Sequence, residues 1–309
     1  MPNRRLITRR FLWLFTVLAL TQTACSRAPS EEVEVKTEGL SVQVASYDVA
    51  KGREGRFIVG LLTNDQQPIG GGTVEMKFAP ISGGSTPVTK TGRFLPIPKG
   101  SADHHEGGEE LPDGFGVYST RMNFDKAGNW EVTVKPQEGE HKRKSGKAAF
   151  AVLEKNKVPI PGEPALPTEN HIIGSDVSAS AVDSRASDGK PVPDPGLHQK
   201  TIKQALDAKR PALVIFSTPT FCVSRFCGPV TDVVEDLSKK YPDKAAYIHI
   251  EIWKDRQANA INKAAADWLF RDDDLQEPWV FLIGADGVIL ERWDNVATAE
   301  EIEPLLKAL

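Results

Sequence analysis

Cys222 and Cys227 are separated by Val223-Ser224-Arg225-Phe226. Two thiols at that spacing can close a disulfide, which either exchanges with other thiols or staples the chain. On one continuous helix, residues i and i+5 differ by about 140° in azimuth and about 7.5 Å in rise. A disulfide needs Cα atoms within about 6.8 Å and converging side chains. Cys222 is therefore expected in a loop, with Cys227 near the N-terminus of the helix that follows. The thiolate is the reactive form, and its pKa falls at a helix N-terminus. By that electrostatics Cys227 is the better thiolate, and Arg225 adds positive potential between the two.

The third cysteine, Cys25, ends a different kind of segment. Arg4, Arg5, Arg9 and Arg10 precede an apolar run from Phe11 to Leu20, broken only by Thr16. About ten helical residues span about 15 Å, half of a bilayer core. This is the pattern of an export signal, not of a transmembrane helix. Thr21-Gln22-Thr23-Ala24-Cys25 resembles a bacterial lipobox, in which the cysteine is lipidated, although Gln22 stands where Leu is usual. Thr8-Arg9-Arg10-Phe11-Leu12 loosely resembles a twin-arginine signal. The resemblance implies a lipid on Cys25 and an exported protein, held at the cell membrane on its extracytoplasmic side by the lipid or the signal segment. Disulfides persist there, and Cys222 and Cys227 are then the two thiols left to pair.

Other side chains could carry chemistry. His249 and Glu251 alternate with Ile248, Ile250 and Ile252, so both point to one face of a strand. His104-His105-Glu106, with Glu109, Glu110 and Asp113, lies in a long stretch over 81–116, and imidazole with carboxylate suits zinc or copper. Adjacent histidines in a Gly-rich acidic loop are more often solvated, and no metal site or cofactor is assigned. Asp272-Asp273-Asp274 reads as a solvated acidic turn without calcium-loop spacing. The net charge of −4 and the lack of any run of five Lys or Arg argue against a nucleic-acid partner.

The 309 residues, 40% hydrophobic and 26% charged, suit two globular domains. A signal is expected over 1–24 and a polar tether over 25–36. Over 37–154, short runs alternate with period two, as in Val74-Glu75-Met76-Lys77-Phe78 and Trp130-Glu131-Val132-Thr133-Val134. Gly, Pro, Asn and Asp separate them, which points to antiparallel strands in a sandwich. Residues 155–196 carry seven of the prolines without periodicity and read as a linker. Over 197–309, strand and helix patterns alternate. Ala212–Phe216, Ala246–Trp253, Trp279–Ile283 and Val288–Trp293 are expected strands. Val230–Tyr241, Asn259–Phe270 and Thr298–Leu309 are expected helices.

Within that last region, Phe226-Cys227-Gly228-Pro229-Val230 resembles the thioredoxin active-site segment W-C-G-P-C, with Val230 in place of the second cysteine. Glu277-Pro278-Trp279 sits where that family has a cis-proline, and residues 281–287 are similar to its exported thiol-disulfide members. Ile215 stands where the family buries a carboxylate. The 37–154 region more weakly resembles the immunoglobulin-like modules of bacterial envelope proteins. The fold class implied is an α/β thioredoxin-like C-terminal domain preceded by an all-β immunoglobulin-like sandwich. The activity implied is thiol-disulfide exchange with protein thiols or disulfides of the cell envelope. Cys222 and Cys227 would be catalytic, Pro278 would present backbone to the substrate, and Glu251 could stand in for the missing carboxylate. By this resemblance Cys222 is the attacking thiol, against the helix-terminus argument for Cys227. The alternatives are a non-catalytic binding module with a structural disulfide, and a copper-handling protein.

Overall fold

Strict alternation builds the first half of the protein. In the computed structural model, which describes residues 39–97, 114–187, 189–222 and 224–309, seven strands run through it. They are β1 (Leu40–Val44), β2 (Glu54–Leu62), β3 (Thr73–Pro80), β4 (Val88–Pro96), β5 (Gly116–Asn123), β6 (Gly128–Pro136) and β7 (Gly146–Val152). On β3, Val74, Met76 and Phe78 are buried while Glu75 and Lys77 are exposed. Trp130, Val132 and Val134 of β6 face the same core, as period-two geometry requires.

The strands close into a barrel in the order β1-β2-β5-β4-β3-β6-β7. The closing contact is short: β1 pairs parallel with β7 through Leu40 with Gly146 and Ser41 with Lys147. A Cβ at Gly146 would overlap the Leu40 carbonyl, so glycine is needed where the two edges meet.

The second half is a four-stranded mixed sheet. Its order is β13 (Ile289–Asp294), β12 (Trp279–Ile283), β8 (Ala212–Ser217) and β9 (Ala246–Glu251). β8 and β9 are parallel, and β12 runs antiparallel to both β8 and β13. Each central strand is buried on both faces, which is why β8 reads as an unbroken apolar run. On one face, Val214, Phe216 and Phe281 pack with α1 (Ile202–Asp207) and α3 (Lys263–Leu269). On the other, Leu213, Ile215 and Val280 pack with α2 (Cys227–Lys240) and α4 (Ala299–Ala308). A two-stranded ribbon, β10 (Trp253–Asp255) with β11 (Ala260–Ile261), follows β9. It takes the start of the stretch expected as helix over Asn259–Phe270; α3 begins only at Lys263, where the Asn262 side chain caps it.

The fold class expected from sequence, an α/β thioredoxin-like domain preceded by an immunoglobulin-like sandwich, is corrected. The architecture is mostly β and is built around a closed seven-stranded barrel. The mixed sheet belongs to the same compact unit as the barrel, spanning Thr37–Leu309. Ile58 of β2 faces away from the barrel interior, yet is fully buried with Leu95, Val117 and Val296. Arg56 crosses to α4, where its guanidinium meets both carboxylate oxygens of Glu301 at 2.8 and 2.9 Å. Residues 155–196, read as a linker, run along the sheet. Gly162 and Ala165 donate to Ile289 and Gly287 carbonyls, and the Trp268 indole donates to Thr168 at 2.8 Å. The signal, the tether and Cys25, like His104 and His105, lie outside the described residues. Among the described residues no helix is long and apolar enough to cross a membrane.

Candidate functional site

β8 ends at Ser217, and the chain turns over the sheet before α2 begins at Cys227. Cys222 and Cys227 are joined by a disulfide across this turn, with Cα atoms 5.9 Å apart, inside the usual range. Arg225 takes the left-handed region at φ 65°, the reversal that brings the two cysteines together. The loop is tied down on both sides. Thr220 N–H donates to Ser184 Oγ at 3.1 Å, and the Thr231 hydroxyl donates to the Cys227 carbonyl at 2.7 Å. Pro229 sits in the first turn of α2, where its missing N–H costs no helix bond.

The two sulfurs have different surroundings. Cys227 is fully buried, whereas Cys222 is half-buried. The Cys227 backbone N–H, at the start of α2, donates to Cys222 Sγ at 3.3 Å, and Ser224 Oγ lies 3.2 Å from the same sulfur. The first N–H of the helix therefore points at Cys222 Sγ. The less buried cysteine is thus also the one whose sulfur meets the first N–H of the helix.

The loop before β12 brings a carboxyl to this disulfide. The Glu277–Pro278 peptide is cis. The carboxylate of Glu277 and the sulfurs of Cys222 and Cys227 all lie within 4.8 Å of one another. The Glu277 carbonyl accepts hydrogen bonds from the Tyr47 hydroxyl at 2.9 Å and the Ser224 hydroxyl at 3.4 Å. Burial, with Glu251 and Asp274 nearby, pushes the Glu277 carboxyl up to about 7.

Glu251, expected to serve the thiols, is instead held in the structure around them. It is buried and accepts backbone N–H groups from Ser184 at 2.8 Å and Trp253 at 3.2 Å. Burial raises its pKa, and the charge of His249 and the bonds from Thr218 and Ser184 offset this only in part. The acid beside the sulfurs is Glu277, which sequence reasoning names only as the residue before Pro278. Its one sequence signal was an acidic residue at the entry to an apolar strand. Ile215, where a carboxylate was missed, is fully buried against α2.

A second polar cluster lies deeper. Asp183 is fully buried and accepts two bonds from the Arg185 guanidinium, at 3.0 and 2.6 Å. His198 Nε2 lies 3.3 Å and His249 Nδ1 3.4 Å from Asp183 Oδ2. Burial pushes the Asp183 carboxyl up, but the bonds from His198, His249 and Arg185 outweigh it and hold it well below the usual carboxylate range. A chain of hydroxyls continues from His249 Nε2 through Ser217 at 3.0 Å and Thr231 at 2.8 Å to the Cys227 carbonyl. Asp183, His198 and His249 are close enough together to hold a metal ion. Arg185 already supplies a cation on the same oxygen, so the donor set does not fit one.

Comparison with known proteins assigns no family. No family model matches the chain, and no curated protein matches it. A similar solved structure is the reduced form of a single-residue variant of superoxide reductase (neelaredoxin) from Archaeoglobus fulgidus, at 13% identity. The match covers 38% of this chain and 90% of that one, with a TM-score of 0.21, too low to carry an argument about activity. The resemblances to thioredoxin-like proteins and immunoglobulin-like modules are corrected as family assignments: nothing matched supports them, and the architecture is organised on the closed barrel.

Proposed function

We propose that the protein exchanges disulfides with other proteins through Cys222 and Cys227. The observation that carries this reading is the asymmetry of the pair. One cysteine is half-buried and its sulfur accepts an N–H from the start of a helix, while the other is fully buried. An accessible, electrostatically favoured thiolate attacks, and a buried neighbour resolves the mixed disulfide. In the reduced protein, Cys222 Sγ attacks a partner disulfide and displaces one partner thiolate. Cys227 then attacks Cys222 Sγ and displaces the other. The partner gains two electrons, and the pair returns to the disulfide.

The partners proposed are protein thiols or disulfides of the cell envelope. The basic and apolar segment before Cys25 supports export, and Ala24-Cys25 supports a lipid on that thiol. The test is trapping in the full chain. Cys227→Ser is expected to retain partners through Cys222 as mixed disulfides separable by reductant, and Cys222→Ser to retain few or none. Wild type is expected to equilibrate with glutathione buffers at a potential near or above about −230 mV. A bond that yields to reductant only on unfolding, with no partner trapped by either variant, would leave the disulfide a staple.

A further inference from the structure

We infer that Glu277 carries the proton for the step in which Cys227 and Cys222 become bonded, standing within 4.8 Å of both sulfurs. The inference rests on the exchange reading and assigns a base to it. A buried thiol needs a base to become a nucleophile, and the candidates offered by position are otherwise engaged. Ile215, beneath α2, has no proton to move. Glu251 is occupied by the Ser184 and Trp253 amides. Asp183 is occupied by Arg185, and His249 Nε2 meets the Ser217 hydroxyl.

Glu277 is also held in place. Tyr47, in the loop after β1, and Ser224, between the cysteines, both donate to its carbonyl, and Ser224 contacts Cys222 Sγ as well. Any move of the disulfide loop is thus felt at the residue carrying the carboxyl. The charged groups acting on that carboxyl are Glu251 from the end of β9 and Asp274 from the loop before β12, and both are acidic. With burial they bring it to about 7, where a group can both take and return a proton at neutral pH.

The step balances as follows. In the mixed disulfide, the Cys227 thiol gives its proton to the Glu277 carboxylate. Cys227 Sγ attacks Cys222 Sγ, and the bond from Cys222 to the partner sulfur breaks. The partner leaves as a thiolate and takes the proton back from Glu277. The pair is oxidised, the partner reduced, and Glu277 is unchanged.

The test uses the full chain and glutathione disulfide as the probe. Reduced wild type, Glu277→Gln and Glu277→Asp are mixed with it, and quenched samples are weighed to follow the mixed disulfide at Cys222 and its resolution. Glu277→Gln is expected to slow resolution by about a hundredfold, the low end of general acid–base effects, so the mixed disulfide accumulates. It should also remove a wild-type inflection near pH 7, while Glu277→Asp keeps an inflection. Capture of glutathione by Cys222, measured in a Cys227→Ser background, is expected to change far less than resolution does in Glu277→Gln. Resolution at the wild-type rate and pH profile in Glu277→Gln overturns the inference and leaves exchange standing. Equal slowing of capture and resolution overturns it too, because that marks a packing role. Wild type that never forms the mixed disulfide overturns the exchange reading and this inference together. If Glu277→Gln does not fold, the Glu277→Asp profile decides: an inflection unmoved from wild type overturns the assignment.

Discussion

Two carboxyls, Asp183 fully buried and Glu277 half-buried, lie toward the same end of the mixed sheet, and they are held in opposite states. Asp183 is fully buried with His198 and His249, beside the partly exposed Arg185, and is kept ionised. Glu277 sits at the disulfide with Glu251 and Asp274 acting on it, and its carboxyl is pushed up toward neutrality. Burial alone raises both. The difference is the counter-charge: a guanidinium at 2.6 Å in one case, two acids in the other. A carboxylate with its cation is a fixed part of the fold, whereas one without remains free to titrate.

The comparison is broken most severely by removing the fixed charge. Asp183→Ala is expected to lower stability by about 3 kcal/mol, as when one partner of a buried ion pair is deleted. Arg185 keeps Asp194 at 2.7 Å, so the loss falls mainly on His198 and His249, which both approach Asp183 Oδ2. Urea unfolding of the oxidised protein measures this. The sign with pH follows from the depressed pKa. The stabilisation from Asp183 is complete above the unfolded value of 3.8 and is lost as pH falls below it. A variant as stable as wild type at neutral pH would mean that the cluster contributes nothing net.

The titrating carboxyl has the opposite sign. Glu277 rises from 4.5 to about 7 on folding, so the native state binds more protons than the unfolded chain between those values. Stability from this group is complete below pH 4.5 and falls as pH rises through 7, by about 3 kcal/mol at most. Glu277→Gln removes that slope. Glu251 is present in both proteins, so the difference between their stability–pH curves isolates Glu277. Parallel curves would mean that Glu277 does not titrate in this range.

The same contrast marks what was legible in the sequence. Val74 to Phe78 and Trp130 to Val134 declare their strands because each inward side chain follows from period two. Closure of the barrel does not show, because it depends on Leu40 and Ser41 meeting Gly146 and Lys147 across a hundred-odd residues. A sandwich and a barrel share the same local alternation. The disulfide loop was legible from spacing, since Cys222 and Cys227 cannot bond within one helix. The different surroundings of the two sulfurs were not, because they turn on which atom the Cys227 N–H reaches. Asp183 lies in a proline-rich stretch without periodicity, and its partners come from three other positions. Glu277 takes its character from Tyr47, Glu251, Asp274 and the cysteines, a neighbourhood that exists only once the barrel and sheet have packed.

The smallest effect sharpens the role of that packing. Tyr47 leaves the barrel just after β1, and its hydroxyl donates to the Glu277 carbonyl 230 residues away. Its phenol is held above its ordinary pKa by burial, so it stays protonated and donating at neutral pH. Tyr47→Phe keeps the ring, which lies 6.1 Å from that of Trp279, and removes only the donor. The expected loss is about 1 kcal/mol, the net worth of one hydrogen bond. Because Ser224 still donates to the same carbonyl, the Glu277 inflection should remain near pH 7 in the exchange assay. An inflection that disappears with Tyr47→Phe would show that the barrel sets the carboxyl's position by itself, and that the disulfide loop contributes nothing to holding it.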